Sequence, residues 1–218
     1  MPSVLITGAN RGIGLEFARQ YSADGWDVVA TVRQSSPELD VLGVRVERLD
    51  MRDLDAVASF GERLDSLDLL IANAGTYGPR SPRSAAEGEE WLETFGVNTV
   101  APYLLAQSVL PLVARSGGKL VAITSKMGSI ADNRSGGYIA YRSSKTALNS
   151  AWRSLAIDNR DKVVAAVLHP GWVQTRMGGE SAPLEPEESV AGMRRVIEDL
   201  GPDQSGRFFS YDGTEIPW

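Results

Sequence analysis

The chain has 218 residues, 43% hydrophobic and 23% charged, enough to bury a substantial core with an ordinary globular composition. With 22 Lys and Arg against 28 Asp and Glu the net charge is -6 and no basic run stands out, which argues against nucleic acid as a partner. The absence of cysteine excludes disulfides, thiolate catalysis and cysteine-ligated metal, and the single histidine excludes a histidine-rich metal site. The N-terminus lacks a signal-peptide pattern and no apolar run approaches the ~18 residues of a membrane span. A cytoplasmic protein with no membrane contact is the expectation.

Val4 to Ile6 is a short apolar strand that runs through Gly8-Ala9-Asn10-Arg11-Gly12-Ile13-Gly14 into Leu15 to Tyr21, where apolar residues take helical spacing. Three glycines between a strand and a helix let the backbone approach a pyrophosphate, favoured by the free N–H groups at the helix start. The spacing is Gly-x-x-x-Gly-x-Gly, not the more common Gly-x-Gly-x-x-Gly. Trp26 to Val32 reads as the second strand and is followed by Arg33, where an acidic residue would instead suit the ribose hydroxyl of NAD. Arg33, with Arg11 in the glycine turn, suits a 2'-phosphate and so NADPH over NADH.

Val44 to Asp50 alternates like a third strand, and Asp53 to Leu64 reads as a helix. Leu67 to Ala72 is a buried fourth strand ending at Asn73-Ala74-Gly75, small residues that let a ligand sit close to the backbone. Thr76 to Glu90 reads as a polar surface loop leading to a helix near Glu89, and a second helix is expected from about Asn98 to Arg115. Lys119 to Ser125 is the fifth strand, Gly128 to Gly137 a loop, Val163 to Leu168 the sixth strand, Pro186 to Leu200 a helix and Gly206 to Ser210 a last strand. Strands alternating with helices at these intervals predict one α/β domain over residues 1–218, a doubly wound, Rossmann-like parallel sheet with helices on both faces.

In the helix that follows the Gly128–Gly137 loop, Tyr141 and Lys145 stand four residues apart, on one face and about 6 Å apart along the axis. An ammonium beside a phenol favours the phenolate, so Tyr141 could exchange a proton near neutral pH.

Thr7-Gly8, Gly12-Ile13-Gly14, Asn73-Ala74-Gly75, Asn98, Ser125, Tyr141-x-x-x-Lys145 and Pro170-Gly171 with Thr175 follow in an order that resembles the classical short-chain dehydrogenases/reductases over nearly the whole chain. The runs Ser125 to Ile130, Leu168 to Val173, Met177-Gly178-Gly179 and Tyr211 to Trp218 look like the C-factor-like branch, which includes sniffer-type carbonyl reductases. The resemblance implies Tyr141 as general acid, Lys145 lowering its pKa and binding the nicotinamide ribose, Ser125 bonding the carbonyl, and Asn98 helping to hold a relay water. It implies cofactor contacts from Gly8, Asn10, Arg11, Gly12, Ile13, Gly14, Arg33, Asp50, Asn73, Ala74, Gly75, Pro170, Gly171, Val173 and Thr175, with Asp50 at the adenine. It also implies a small-molecule carbonyl substrate and a homodimer or homotetramer.

The gap from Ser125 to Tyr141 is longer than is usual in that family, attributable to extra residues around Asn133 to Gly137. It leaves Ser125 or Ser129 to face the substrate, with Ser125 preferred because it ends a strand. The segment between Thr175 and Pro186 is short for a lid, so an open pocket is expected. A serine hydrolase is disfavoured because no Gly-x-Ser-x-Gly elbow is present and only His169 could act as base. Two alternatives remain: a nucleotide-binding signalling or regulatory protein of the C-factor type with little turnover, and an NAD-dependent alcohol dehydrogenase.

Overall fold

The computed structural model describes residues 1–218. Seven strands, β1 (Ser3–Thr7), β2 (Asp27–Val32), β3 (Arg45–Arg48), β4 (Leu69–Ala72), β5 (Lys119–Ile123), β6 (Val164–His169) and β7 (Phe208–Ser210), form one sheet in the order β3-β2-β1-β4-β5-β6-β7. Every pairing is parallel, from Leu5 beside Val29 and Leu70 to Leu168 beside Phe209. Parallel strands are covered on both faces, which is why Val4–Ile6 in β1 and the whole of β4 are continuous apolar runs rather than alternating ones. The chain winds outward from β1 to β3, then returns to β4 on the other side of β1. That reversal opens a crevice at the carboxyl edge between β1 and β4.

Leu5, Val29, Leu70 and Leu120 face one side, where α3 (Leu54–Ala58), α5 (Ala101–Ser116) and α6 (Ile139–Asp158) pack. Val4, Ile6, Val28 and Ala30 face the other side, against α1 (Gly12–Ala23), the single turn α2 (Pro37–Asp40) and α7 (Pro186–Asp199). Trp152 of α6 is fully buried and its indole N–H donates to Leu120 O at 3.0 Å. Helix α6 is thereby fixed to the strand that ends beside Ser125.

Several boundaries differ from the sequence reading, each for a local reason. The helix expected over 53–64 breaks after α3 into a 3₁₀ turn, Phe60–Arg63. A Cβ on Gly61 would lie 2.1 Å from Ser108 O, so the segment must flatten against the α5 backbone there. The two helices expected near Glu89 and Asn98 are one continuous helical path: α4 (Ala85–Phe95), a π turn over Gly96–Val100, then α5. A capping box starts α4, with Ser84 Oγ accepting from Glu87 N at 3.2 Å and the Glu87 carboxylate accepting from Ser84 N at 3.0 Å. By length and composition the run Ala85–Ser116 could cross a membrane, contrary to the absence of such a run in the sequence reading. Leu105, Ala106, Val109 and Val113 are fully buried against the sheet, so it is a core helix. The last strand is shorter than expected, Phe208–Ser210.

Candidate active site

The glycine turn is built by contact. Gly8 N donates to Thr31 O at 2.8 Å, while Asn73 Nδ2 donates to Thr7 O at 2.8 Å and the Thr7 hydroxyl accepts from Asn73 N and Ala74 N at 3.0 and 2.9 Å. These bonds lock the ends of β1 and β4 together across the crevice. A Cβ on Gly14 would stand 2.4 Å from Gly8 O and 2.5 Å from Asn73 Nδ2, so only glycine fits where α1 enters. The N-cap of α1 is Arg11, whose side chain makes no cap bond, and the first turn carries no acidic residue. Its free N–H groups and positive end therefore face the cleft without a side-chain partner.

A cleft of about 1490 Å³ runs along this carboxyl edge. Its wall includes Gly8, Asn10, Arg11, Gly12, Ile13 and Gly14 from the turn, Arg33 and Asp50 beyond β2 and β3, and Asn73, Ala74 and Gly75 after β4. It also includes Tyr141, Lys145, Pro170 and Thr175. Arg11 and Arg33 are exposed and make no ion pair. Asp50 is gripped by Arg52, with contacts at 2.8 and 3.1 Å, and this guanidinium, with Arg33 adding to it, holds its carboxyl below the usual range.

Tyr141 and Lys145 lie side by side on α6, both buried. Burial works against the expected pull of the ammonium on the phenol. Burial, with a smaller contribution from Tyr77, raises the Tyr141 pKa above its ordinary value, and only the Ser125 hydroxyl acts against the rise. Lys145 is itself desolvated, its pKa pushed down to about 8, and its Nζ donates to Ile123 O at 2.8 Å instead of to the phenol. The ammonium sits 5.9 Å from the Tyr141 ring centroid. Burial thus favours the neutral phenol at Tyr141.

Of the two candidate serines, Ser125 faces Tyr141 and accepts from Met127 N at 3.1 Å. Ser129 turns away: its hydroxyl donates to Pro217 O at 2.6 Å and accepts from Asp132 N at 3.1 Å. Tyr138, a second phenol three residues before Tyr141, has the Arg80 guanidinium 4.6 Å over its ring and is not on the cleft wall.

Asn98, Ser125, Gly171 and Val173 do not line the cleft. Asn98 sits in the π turn, fully buried, and spends its amide on the Thr76 backbone (2.8 Å to N and to O) and on Ser144 Oγ (3.0 Å). A Cβ on Gly75 would stand 3.2 Å from Asn98 Oδ1 and 3.6 Å from Lys145 Nζ, so both side chains lie close against Gly75. Gly171 and Val173 shape the turn after β6: Gly171 packs against Leu184 and Tyr211, and Val173 bridges to Leu184. That turn presents Gln174, Thr175, Arg176 and Met177 to the cleft, with a Cβ on Gly12 3.2 Å from Thr175 Cγ2.

The sequence reading missed Tyr77, Arg48, Arg52 and Arg176 on the wall. Tyr77 packs edge-on to Tyr141, with ring centroids 4.7 Å apart at 63°. Its only sequence signal was an aromatic residue two positions after Gly75 in an otherwise polar loop.

The fit to a dinucleotide is physical: a glycine turn with no room for a side chain, an uncapped helix start, unpaired arginines on one stretch and a buried phenol with an ammonium on another. The sequence model of the family described as short chain dehydrogenase matches residues 2–185. The chain belongs to that family. The C-signal of Myxococcus xanthus is 46% identical over 154 residues, 70% of this short-chain dehydrogenase and 93% of that protein. Among solved structures, the carbonyl reductase Sniffer of D. melanogaster superposes with a TM-score of 0.92 at 34% identity, covering 100% of both chains. A carbonyl reductase from Pseudomonas aeruginosa PAO1 in complex with NADP gives a TM-score of 0.87 at 37% identity, again over 100% of both chains.

Proposed function

We propose that this short-chain dehydrogenase reduces an aldehyde or ketone to the alcohol with NADPH. The observation that carries the reading is the buried Tyr141, with the Ser125 hydroxyl beside its phenol, on the wall of a cleft that also holds Lys145 and, without ion partners, Arg11 and Arg33. When bound, NADPH supplies the hydride that reduces the carbonyl carbon. The proton comes from Tyr141 Oη to the carbonyl oxygen, and Ser125 holds that oxygen by its hydroxyl. The Lys145 ammonium, already desolvated, steadies the phenolate that remains.

Asn98 serves the site from behind, by fixing the Thr76 backbone and Ser144 of α6. Arg11 and Arg33 take the 2'-phosphate, which is why the phosphorylated cofactor is preferred. The glycine turn, the Asn73-Ala74-Gly75 edge and Thr175 hold the rest of the dinucleotide, with Asp50 at the adenine.

A second reading draws support from the likeness to C-signal, closer in identity than the likeness to the two carbonyl reductases above: a nucleotide-binding signalling protein with little turnover. A panel of aldehydes and ketones, followed by NADPH and NADH oxidation alongside equilibrium binding of both, decides between them. Carbonyl-dependent NADPH oxidation is the expected result. Tight NADPH binding with no turnover on any carbonyl would leave the signalling reading standing.

A further inference from the structure

Arg142, the residue after Tyr141, spends its guanidinium entirely on neutral acceptors. Nε donates to Gly136 O at 3.1 Å and to Gly137 O at 3.0 Å, Nη1 to Met127 O at 3.3 Å and Nη2 to Ser135 Oγ at 2.9 Å. No carboxylate pairs with it. A rigid, many-donor fork used this way has a geometric task.

The segments it joins are the two that must set Ser125 against Tyr141. Met127 lies in the 3₁₀ turn that follows Ser125, and its own N–H is bonded to the Ser125 hydroxyl. Gly136, Gly137 and Tyr138 are three successive left-handed residues, at φ +62°, +68° and +52°, that feed directly into the first turn of α6. A left-handed tyrosine costs energy and persists only where its surroundings hold it. The start of α6 has no side-chain cap.

The rest of the connection is held by other residues. Thr146 and Asn149 bond Gly128 O at 2.9 and 3.3 Å, and the C-terminal Pro217 and Trp218 carbonyls take Ser129 and Ala131. Residues 135–137 have no such ties to the body of the protein beyond Arg142; the neighbouring Tyr138 and Ile139 meet Arg80, whose guanidinium lies 4.6 Å over the Tyr138 ring and whose carbonyl accepts from Ile139 N at 3.1 Å.

We infer that Arg142 is a positioning residue: it staples the extended 133–138 loop to the Ser125 turn and so fixes the entry of α6 that aims Tyr141 at Ser125. The inference rests on the carbonyl-reductase reading for its catalytic half. It also gives the extra residues between Ser125 and Tyr141 a role, since a longer connection needs its own tether to keep the two hydroxyls in register.

The test compares wild type with Arg142→Met, which keeps the stem and loses every donor, and with Arg142→Lys, which cannot reach all four acceptors at once. Backbone hydrogen exchange is followed by peptide, and steady-state kinetics are run on the carbonyl reduced best by wild type. Exchange at Gly136, Ile139 and Arg142 should quicken at least tenfold in Arg142→Met while the β1 and β4 amides keep their protection. The kcat should fall about 10- to 100-fold, as sub-ångström misplacement of reacting groups does, with KM for NADPH within about twofold and Arg142→Lys in between.

Unchanged exchange in the loop would overturn the staple. Faster loop exchange with wild-type kcat would overturn the positioning role, and faster exchange across the whole sheet would reduce Arg142 to general stability. A wild type that reduces no carbonyl defeats the functional reading and the catalytic half with it. The exchange comparison still separates that outcome from failure of the staple.

Discussion

Lys145→Met should change how stability depends on pH, because Lys145 is a buried ammonium whose pKa is pushed from 10.5 down to about 8 by loss of water. In the unfolded chain the ammonium recovers its ordinary value. Below pH 8 both states carry the proton, and the folded state bears the whole penalty, on the order of 3 kcal/mol. Between pH 8 and 10.5 the folded protein has released a proton that the unfolded chain still holds, so stability rises with pH through that window. From pH 6 to pH 9.5 wild type should gain about 2 kcal/mol that Lys145→Met does not. At pH 6 itself the two should be close, since the substitution removes the charge but strips Ile123 O of its donor, which costs about 1–3 kcal/mol. Urea unfolding at half-unit pH steps for both proteins reads the difference directly, and groups common to both cancel. Parallel stability curves would refute the claim that Lys145 is charged, buried and unpaid by a close anion.

Tyr141→Phe keeps the packed ring and removes the proton donor, so NADPH should still bind in a fluorescence titration while kcat drops by about 10²- to 10⁴-fold; wild-type turnover would remove Tyr141 from the chemistry. Arg33→Asp should invert the preference for NADPH over NADH, read as the ratio of kcat/KM for the two cofactors, and an unchanged ratio would sink the charge argument. Gly14→Ala puts a methyl 2.4 Å from Gly8 O. It should cost about 1–3 kcal/mol of stability and weaken NADPH binding, whereas wild-type stability with full affinity would mean the turn is looser than its contacts indicate.

What was legible in the sequence was whatever periodicity or a short motif encodes. The buried runs at Val4–Ile6, Leu69–Ala72 and Ala165–Leu168 are apolar because parallel strands are covered twice, and the glycine turn is marked because no side chain fits at Gly14. The break at Gly61 and the fusion of α4 to α5 were not legible, because both depend on what lies across from them: the Ser108 carbonyl in one case and the Asn98 clamp on Thr76 in the other. The start of α4 was written plainly in Ser84-x-x-Glu87 but was masked by the surrounding polar residues. Tyr77 could not be assigned to the site without the fold, since only the path of the chain after Gly75 brings its ring against Tyr141.

The same limit applies to the phenol, whose pKa spacing alone cannot set. Four residues along a helix fix that Tyr141 and Lys145 share a face, but a pKa depends on what solvates each group once packed. The ammonium donates to Ile123 O rather than to the phenol, and Tyr77 packs edge-on against the ring, so burial dominates the phenol's pKa. In the proposed carbonyl reduction the phenol would enter with its proton, and the desolvated ammonium beside it would favour the anion once that proton had left. The Ser125 hydroxyl is the one group that works against burial on the phenol's pKa, so the proposed reaction depends on the register between these two side chains. The Ser125 turn and the first turn of α6 are therefore where small displacements should cost most.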